Sequence, residues 1–246
     1  MKKSLILLLS LFFIHGANSM PADTTLKSVL LNKNPHPLNK FYIATGGELI
    51  FAFGDQRADS LQFENKLRFS LFPHIQQQYH YNFSKAFGFY TGISFINVGF
   101  RHNISTASTS FELRQRSFSF GVPLALKIGN MKNGNYIAIG GSAELMIRYK
   151  YKIYYNDKKE KYADWFSDKV NLFNPSLFVD IRNKTGGYIR FKYYLGDFLS
   201  ATSSTFTLPT TTTNISFTPT QSSLFYISIG STFMKKKPQK LTKDDV

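Results

Sequence analysis

The sequence predicts an all-β protein: an eight-stranded antiparallel up-and-down transmembrane β-barrel with a polar, side-chain-filled interior. Three observations lead there. First, apolar and polar residues alternate with a period of two. In residues 136–155, Glu144, Arg148, Lys150 and Lys152 occupy even positions while Ile137, Ile139, Leu145, Ile147 and Ile153 occupy odd ones, the signature of a strand with two unlike faces. Second, no segment after the first residues offers the ~18 uninterrupted apolar residues of a spanning helix, so a membrane can be crossed only by strands. Third, the connections alternate between short and long, as they do between the two ends of a membrane barrel.

The chain begins with a different kind of segment. Lys2 and Lys3 precede an apolar run from Leu5 to Ile14, and Ala17-Asn18-Ser19 supplies small residues for cleavage. This is the layout of an export signal, expected to be removed after Ser19, and the run is short for a retained anchor. The formal charge of +15 then becomes +13, because residues 1–19 hold Lys2 and Lys3 but no acid. Cysteine is absent, which excludes a disulfide framework, a lipid-bearing cysteine and thiol chemistry. The basic residues sit at segment ends and in Lys235-Lys236-Lys237 rather than among stacking aromatics. An anionic lipid surface is therefore the expected partner, not nucleic acid. With Phe 25 and Tyr 14 against one Trp, the aromatics favour strands and interfacial belts.

Collecting the alternating runs gives strands at 41–54, 66–81, 87–100, 113–128, 135–154, 172–183, 187–199 and 223–234. Connections at 82–86, 129–134 and 184–186 are short, and those between are longer and polar. The domain plan is a signal at 1–19, a periplasmic lead-in at 20–40, the barrel at 41–234 and a basic periplasmic tail at 235–246. Within the fourth strand Pro123 lacks a ladder donor and is expected to mark a bulge. The pairs Gly46-Gly47 and Gly140-Gly141 read as kinks or close-packing positions.

A midplane Arg or Lys facing lipid costs ~2 to 4 kcal/mol. Glu48, Arg68, Glu144, Arg148, Asp180, Arg182, Arg190 and Lys192 are therefore expected to point inward as a charge network, with Lys150 and Lys152 reaching the wet rim. Eight strands leave a lumen that side chains can fill. A soluble barrel with an apolar lumen would need the opposite polarity. Turn chemistry sharpens one pair: a three-residue loop with Gly186 in the left-handed region sets Asn183 against Gly187, and hence Asp180 against Arg190.

The stretches FYIATGGELIFAF, SFSFGVPLALKIGN and LFYISIGSTF, together with the signal, resemble the eight-stranded outer-membrane β-barrel families of Bacteroidetes-type bacteria, including PorT-like proteins, over about 41–234. The resemblance implies export, outer-membrane assembly through the barrel-assembly machinery, and a structural, assembly or interaction role beside a surface or periplasmic protein. It implies a secretion-machinery setting more readily than catalysis, and Phe233 is similar to the terminal aromatic of barrel-assembly signals.

No established catalytic, metal or nucleotide motif is present, and no cofactor is expected. The alternatives are a lipid A-modifying barrel enzyme, for which His102 with Ser105 and Glu112 is the candidate set, and a narrow channel. His74 falls on the inward face as a packed or hydrogen-bonded residue. Lys158, Lys159, Lys161 and Trp165 in the third long connection are candidate lipopolysaccharide contacts. The fourth, Thr- and Ser-rich from 201 to 222, reads as a flexible or hairpin-extended surface loop.

Overall fold

The computed structural model describes residues 38–58, 61–106, 109–209 and 214–234 of the chain. The expected signal at 1–19, most of the lead-in at 20–40 and the tail at 235–246 lie outside the described residues. The strands are β1 (Phe41–Arg57), β2 (Gln62–Lys66), β3 (Arg68–Asn82), β4 (Phe87–Ser105), β5 (Ser110–Asn130), β6 (Asn135–Tyr155), β7 (Lys158–Trp165), β8 (Phe173–Arg182), β9 (Gly187–Tyr194), β10 (Ser204–Thr207), β11 (Asn214–Phe217) and β12 (Gln221–Met234).

Eight of them close a ring. β1, β3, β4, β5, β6, β8, β9 and β12 each pair antiparallel with the next, and β12 returns to β1. The order is that of the sequence, so the barrel is up-and-down and has no free edge. The extra strands all belong to the long-connection end: β2 continues the line of β3 along β4, β7 folds back on β6, and β10 with β11 forms a hairpin. At the opposite end the turns are tight. Gly186, with φ of 86°, closes the β8–β9 turn where an added Cβ would meet the Thr232 carbonyl at 2.2 Å. Gly140 permits a similar approach between β6 and β5, where a Cβ would lie 2.2 Å from the Leu124 carbonyl.

The outward faces carry the apolar side chains. On β5, Phe120, Val122, Leu124, Leu126 and Ile128 are exposed, Leu126 by 63%, whereas Ser117, Ser119 and Lys127 on the other face are fully buried. Ile137, Ile139 and Leu145 on β6, Leu177 and Ile181 on β8, and Ile189 and Phe191 on β9 extend the belt around the ring. From Phe120 to Ile128 it runs roughly 26 Å along the strand. Continuous apolar surface of this height belongs against hydrocarbon rather than water, which makes this a transmembrane barrel. Among the described residues no helix is long and apolar enough to cross a membrane.

Two irregularities depart from the expected alternation. Pro123 does not mark a bulge: it pairs in register with Ser142, and its carbonyl accepts from the Thr91 hydroxyl at 2.8 Å. The register slips instead between Phe118 and Ser119, which face Arg148 and Met146, so Ile147 is the extra residue on β6. An extra residue reverses the faces of everything beyond it. The second slip lies in β3, where Glu48 pairs with His74 but Ile50 with Ser70; the added backbone there includes Pro73.

Candidate functional site

The lumen within the apolar belt is a layer of paired charges. Asp180 stands directly opposite Arg190 in the β8–β9 ladder, the register that the Asn183–Gly187 bond and the left-handed Gly186 impose. Arg190 donates to both carboxylate oxygens of Asp180, at 2.6 and 2.9 Å, and Arg182 and the Tyr90 hydroxyl add bonds of 3.1 and 2.7 Å. The remaining Arg190 nitrogen faces Glu48 at 3.6 Å. Glu48 in turn accepts from the hydroxyls of Ser228 and Tyr188 at 2.6 and 3.2 Å. The guanidinium of Arg182 lies over the rings of Tyr188, Tyr90 and Tyr136, at 4.5, 5.3 and 5.8 Å.

A second cluster sits nearer the long-connection end. Glu144 pairs with Lys192 and accepts from the hydroxyls of Ser119 and Tyr194, each at 2.7 Å. Every one of these carboxylates is buried, where an unpartnered charge would cost several kcal/mol. The tyrosine and serine hydroxyls fill the lone pairs that the cations leave. Lys127, on the inward face of β5, is a further fully buried cation; its ammonium donates to Asn82 at 2.6 Å and faces the rings of Tyr42 and Tyr136. His74 is a hydrogen-bonded residue, accepting the Asn97 amide at 3.0 Å and sharing a 3.1 Å bond with Ser70.

Two residues expected in the network lie elsewhere. Arg148 follows the Ile147 bulge and is turned to the outer wall, where it covers the Trp165 ring at 4.9 Å. Arg68 fills the place where β3 leaves β4, between the pairings Lys66 with Arg101 and Ile75 with Phe95. It donates to the backbone carbonyl and side-chain oxygen of Asn97 at 3.2 and 2.8 Å and meets no carboxylate among the described residues.

Beyond the belt the polarity of the wall inverts. The interior becomes an apolar core of Ile50, Ile96, Val98, Phe100, Leu113, Tyr149 and Ile153, closed from above by Phe206, Leu208 and Phe217 of the β10–β11 hairpin and by Phe198 and Leu199. The buried ion pairs are thus confined to the membrane-embedded half, while the outer half holds uncharged polar groups such as Gln56 and Gln115 among its apolar side chains. The fourth long connection is the hairpin-extended form of the two expected. His102 lies within β4, fully buried against Phe63 and Phe100 in that core. Ser105 and Glu112 occupy the outward face, Ser105 exposed and Glu112 bound to Arg101 and Arg114. The three residues do not assemble into a catalytic set, because strand alternation puts His102 on the other side of the wall.

On the outside, Lys66, Arg101, Arg114, Lys152 and Lys161 are successive cross-strand partners from β2 to β7. Arg116 pairs with Lys150 in the row beneath, and Arg148 with Phe118 and Trp165 beneath that. Partial burial alone would raise the Glu112 carboxyl, but bonds from Arg101 and Arg114 hold it below the ordinary carboxylate range. Lys150 and Lys152 are lowered by desolvation and then by Arg116 and the other cations around them. The turn Asn156-Asp157, with φ of 46° and 58°, is of the tight hairpin kind and sets β7 in register. Of the third-loop candidates, Lys159, Lys161 and Trp165 share the face of Lys152 and Arg148, whereas Lys158 alternates to the other side. Arg101, Arg114 and Arg116 escaped the sequence reading although a signal existed: Arg114 and Arg116 keep the phase of lipid-facing Phe118 and Phe120, so they must stand clear of the lipid.

No family model matches this chain, and neither does any curated protein. Among solved structures, the chain is similar to Ail, the attachment invasion locus protein of Yersinia pestis (12% identity, 78% of this chain and 99% of that chain, TM-score 0.36). It is also similar to the outer membrane protein OprG of Pseudomonas aeruginosa (10% identity, 79% and 96%, TM-score 0.34). A third likeness is to the outer membrane protein AlkL in DMPC bilayers (12% identity, 92% and 100%, TM-score 0.33). The fold assignment rests on the closed strand ring itself.

Proposed function

We propose that this chain is a bacterial outer-membrane barrel without catalytic or conducting activity, which holds its long-connection end outside the cell as an interaction and assembly surface. The observation that carries this reading is the filled interior. Paired charges occupy the lumen across the lipid, an apolar core occupies it above, and the β10–β11 hairpin lies over that core. Export by residues 1–19, insertion by the barrel-assembly machinery and contact with lipopolysaccharide through Lys159, Lys161 and Trp165 belong to the same reading. The PorT-like resemblance favours a place beside a secretion or surface-assembly machine, with a surface or periplasmic protein as partner. The enzyme alternative is the weaker because His102 is walled off from Ser105 and Glu112.

Planar-bilayer recording of the purified barrel tests the conducting alternative, and mass spectrometry of lipid A from cells with and without the gene tests the catalytic one. The expected results are a silent membrane and an unchanged lipid profile. Stable open steps or a lipid A species that depends on the gene would overturn the proposal.

A further inference from the structure

The outer wall just above the lipid belt bears more cations than the carboxylates that reach them among the described residues. Like charges directly opposite one another destabilise a sheet, yet the row from Lys66 to Lys161 places cation against cation at four consecutive strand junctions. Among the described residues, the carboxylates bonded to this row are Glu112, already engaged by Arg101 and Arg114, and Glu64, held by Lys66 at 3.3 Å. Such a row is tolerable when an anion lies on it.

The wall also has a receptacle. Where β3 departs from β4 a cleft of about 330 Å³ opens, lined by the cations Arg101, Arg114, Arg116, Lys150 and Lys152 of β4, β5 and β6 as a roof and, on the β3 side, by Arg68 and Ser70 and an apolar lip of Leu67, Phe69 and Leu71. The cations are arranged for phosphate oxygens. The lip is exposed apolar surface continuous with the belt.

We propose that this cleft binds a phosphorylated glycolipid of the outer leaflet, its phosphate seated between Arg114, Arg116 and Lys150 and its acyl chains lying along Leu67, Phe69 and Leu71. The assignment rests on the reading of the chain as an outer-membrane barrel with this end outside. A lipid, rather than free phosphate, is the occupant because only a lipid uses both the cationic roof and the apolar lip. Trp165, under Arg148 two rows below Lys161 on β7, is the chain's one tryptophan and reports on the site.

The test uses the full chain in phosphatidylcholine nanodiscs doped with diphosphoryl lipid A, with dephosphorylated lipid A, or undoped with inorganic phosphate added. Trp165 emission and lipid retained on purification are read out. Diphosphoryl lipid A should bind saturably and more weakly at high salt. Dephosphorylated lipid and inorganic phosphate should bind at least tenfold more weakly. Replacing Arg114, Arg116 and Lys150 together by Gln should weaken binding by about a hundredfold, at roughly fivefold per charge. K132Q/K184Q, at the opposite end, should leave it unchanged. The triple variant removes repelling charges and should keep the heat-modifiable gel mobility of a folded barrel.

Equal binding of dephosphorylated lipid, equal occupancy by inorganic phosphate, or wild-type affinity in the triple variant would each overturn the assignment. If wild-type protein shows the mobility shift but binds no lipid A, the cleft proposal alone falls. If it shows no shift, the barrel reading falls with it.

Discussion

Asp180→Asn is the substitution to which the lumen should respond most sharply. The change is nearly isosteric, so packing is preserved and the loss is electrostatic. Asp180 accepts four bonds, one at Oδ1 from Arg190 and three at Oδ2 from Arg190, Arg182 and Tyr90. An amide offers one acceptor oxygen and, in place of the other, an NH2 group that only donates. With its NH2 at the Oδ2 position it opposes the N–H groups of Arg190 and Arg182, even when the Tyr90 hydroxyl turns to accept; flipped, it opposes the Arg190 Nε at the shorter 2.6 Å contact. No rotamer satisfies the site, and two guanidinium groups lose a counter-ion in a buried layer. Breaking a buried pair in this way costs about 3 to 5 kcal/mol. Urea unfolding in lipid vesicles, followed by the heat-modifiable gel shift, measures it. A double-mutant cycle with Arg190→Gln should return a coupling of about 2 kcal/mol or more. A loss under about 1 kcal/mol, or a coupling indistinguishable from zero, would refute the claim that this pair organises the lumen.

Two further outcomes test the geometry. Arg148→Ala should cost no more than about 1 kcal/mol, as for a half-exposed cation over an aromatic ring, while shifting Trp165 emission; a loss of several kcal/mol would return Arg148 to the lumen. Gly186→Ala should destabilise the barrel by about 1 to 3 kcal/mol, because φ is 86° and the new methyl meets the Thr232 carbonyl; unfolding at wild-type urea concentration would count against the turn geometry.

Much of this fold could be read from residue order because a strand in lipid has a strict grammar. Faces alternate and polarity follows the solvent. The Asp180 and Arg190 register needed only the turn, since Gly186 and Asn183 leave few ways to close it. Extrapolation failed where the grammar is interrupted without a lexical mark. Ile147 is β-branched and apolar like its neighbours, and nothing in its identity announces a bulge, so Arg148 was carried through on the wrong face. Pro123 drew attention because it lacks an amide donor, yet its place in the ladder needed none enough to shift the register. His102 appeared beside Ser105 and Glu112 in a loop only because β4 and β5 continue well past the lipid; once those residues are in strands, parity separates them.

The single added residue at Ile147 also defines how this protein can vary. Insertions and deletions in the long connections change only what they contain, and deletion of Ile147 would merely make Ser119–Met146 and Phe118–Arg148 consecutive pairs with every face kept, whereas straightening the bulge with Ile147 retained would turn the last eight residues of β6 over. In that second case Tyr149, Tyr151 and Ile153 would leave the apolar core for water, and Arg148, Lys150 and Lys152 would enter it. The bulge, rather than any single charge, is therefore what keeps the tyrosines of the outer half of β6 inward and its cations outside.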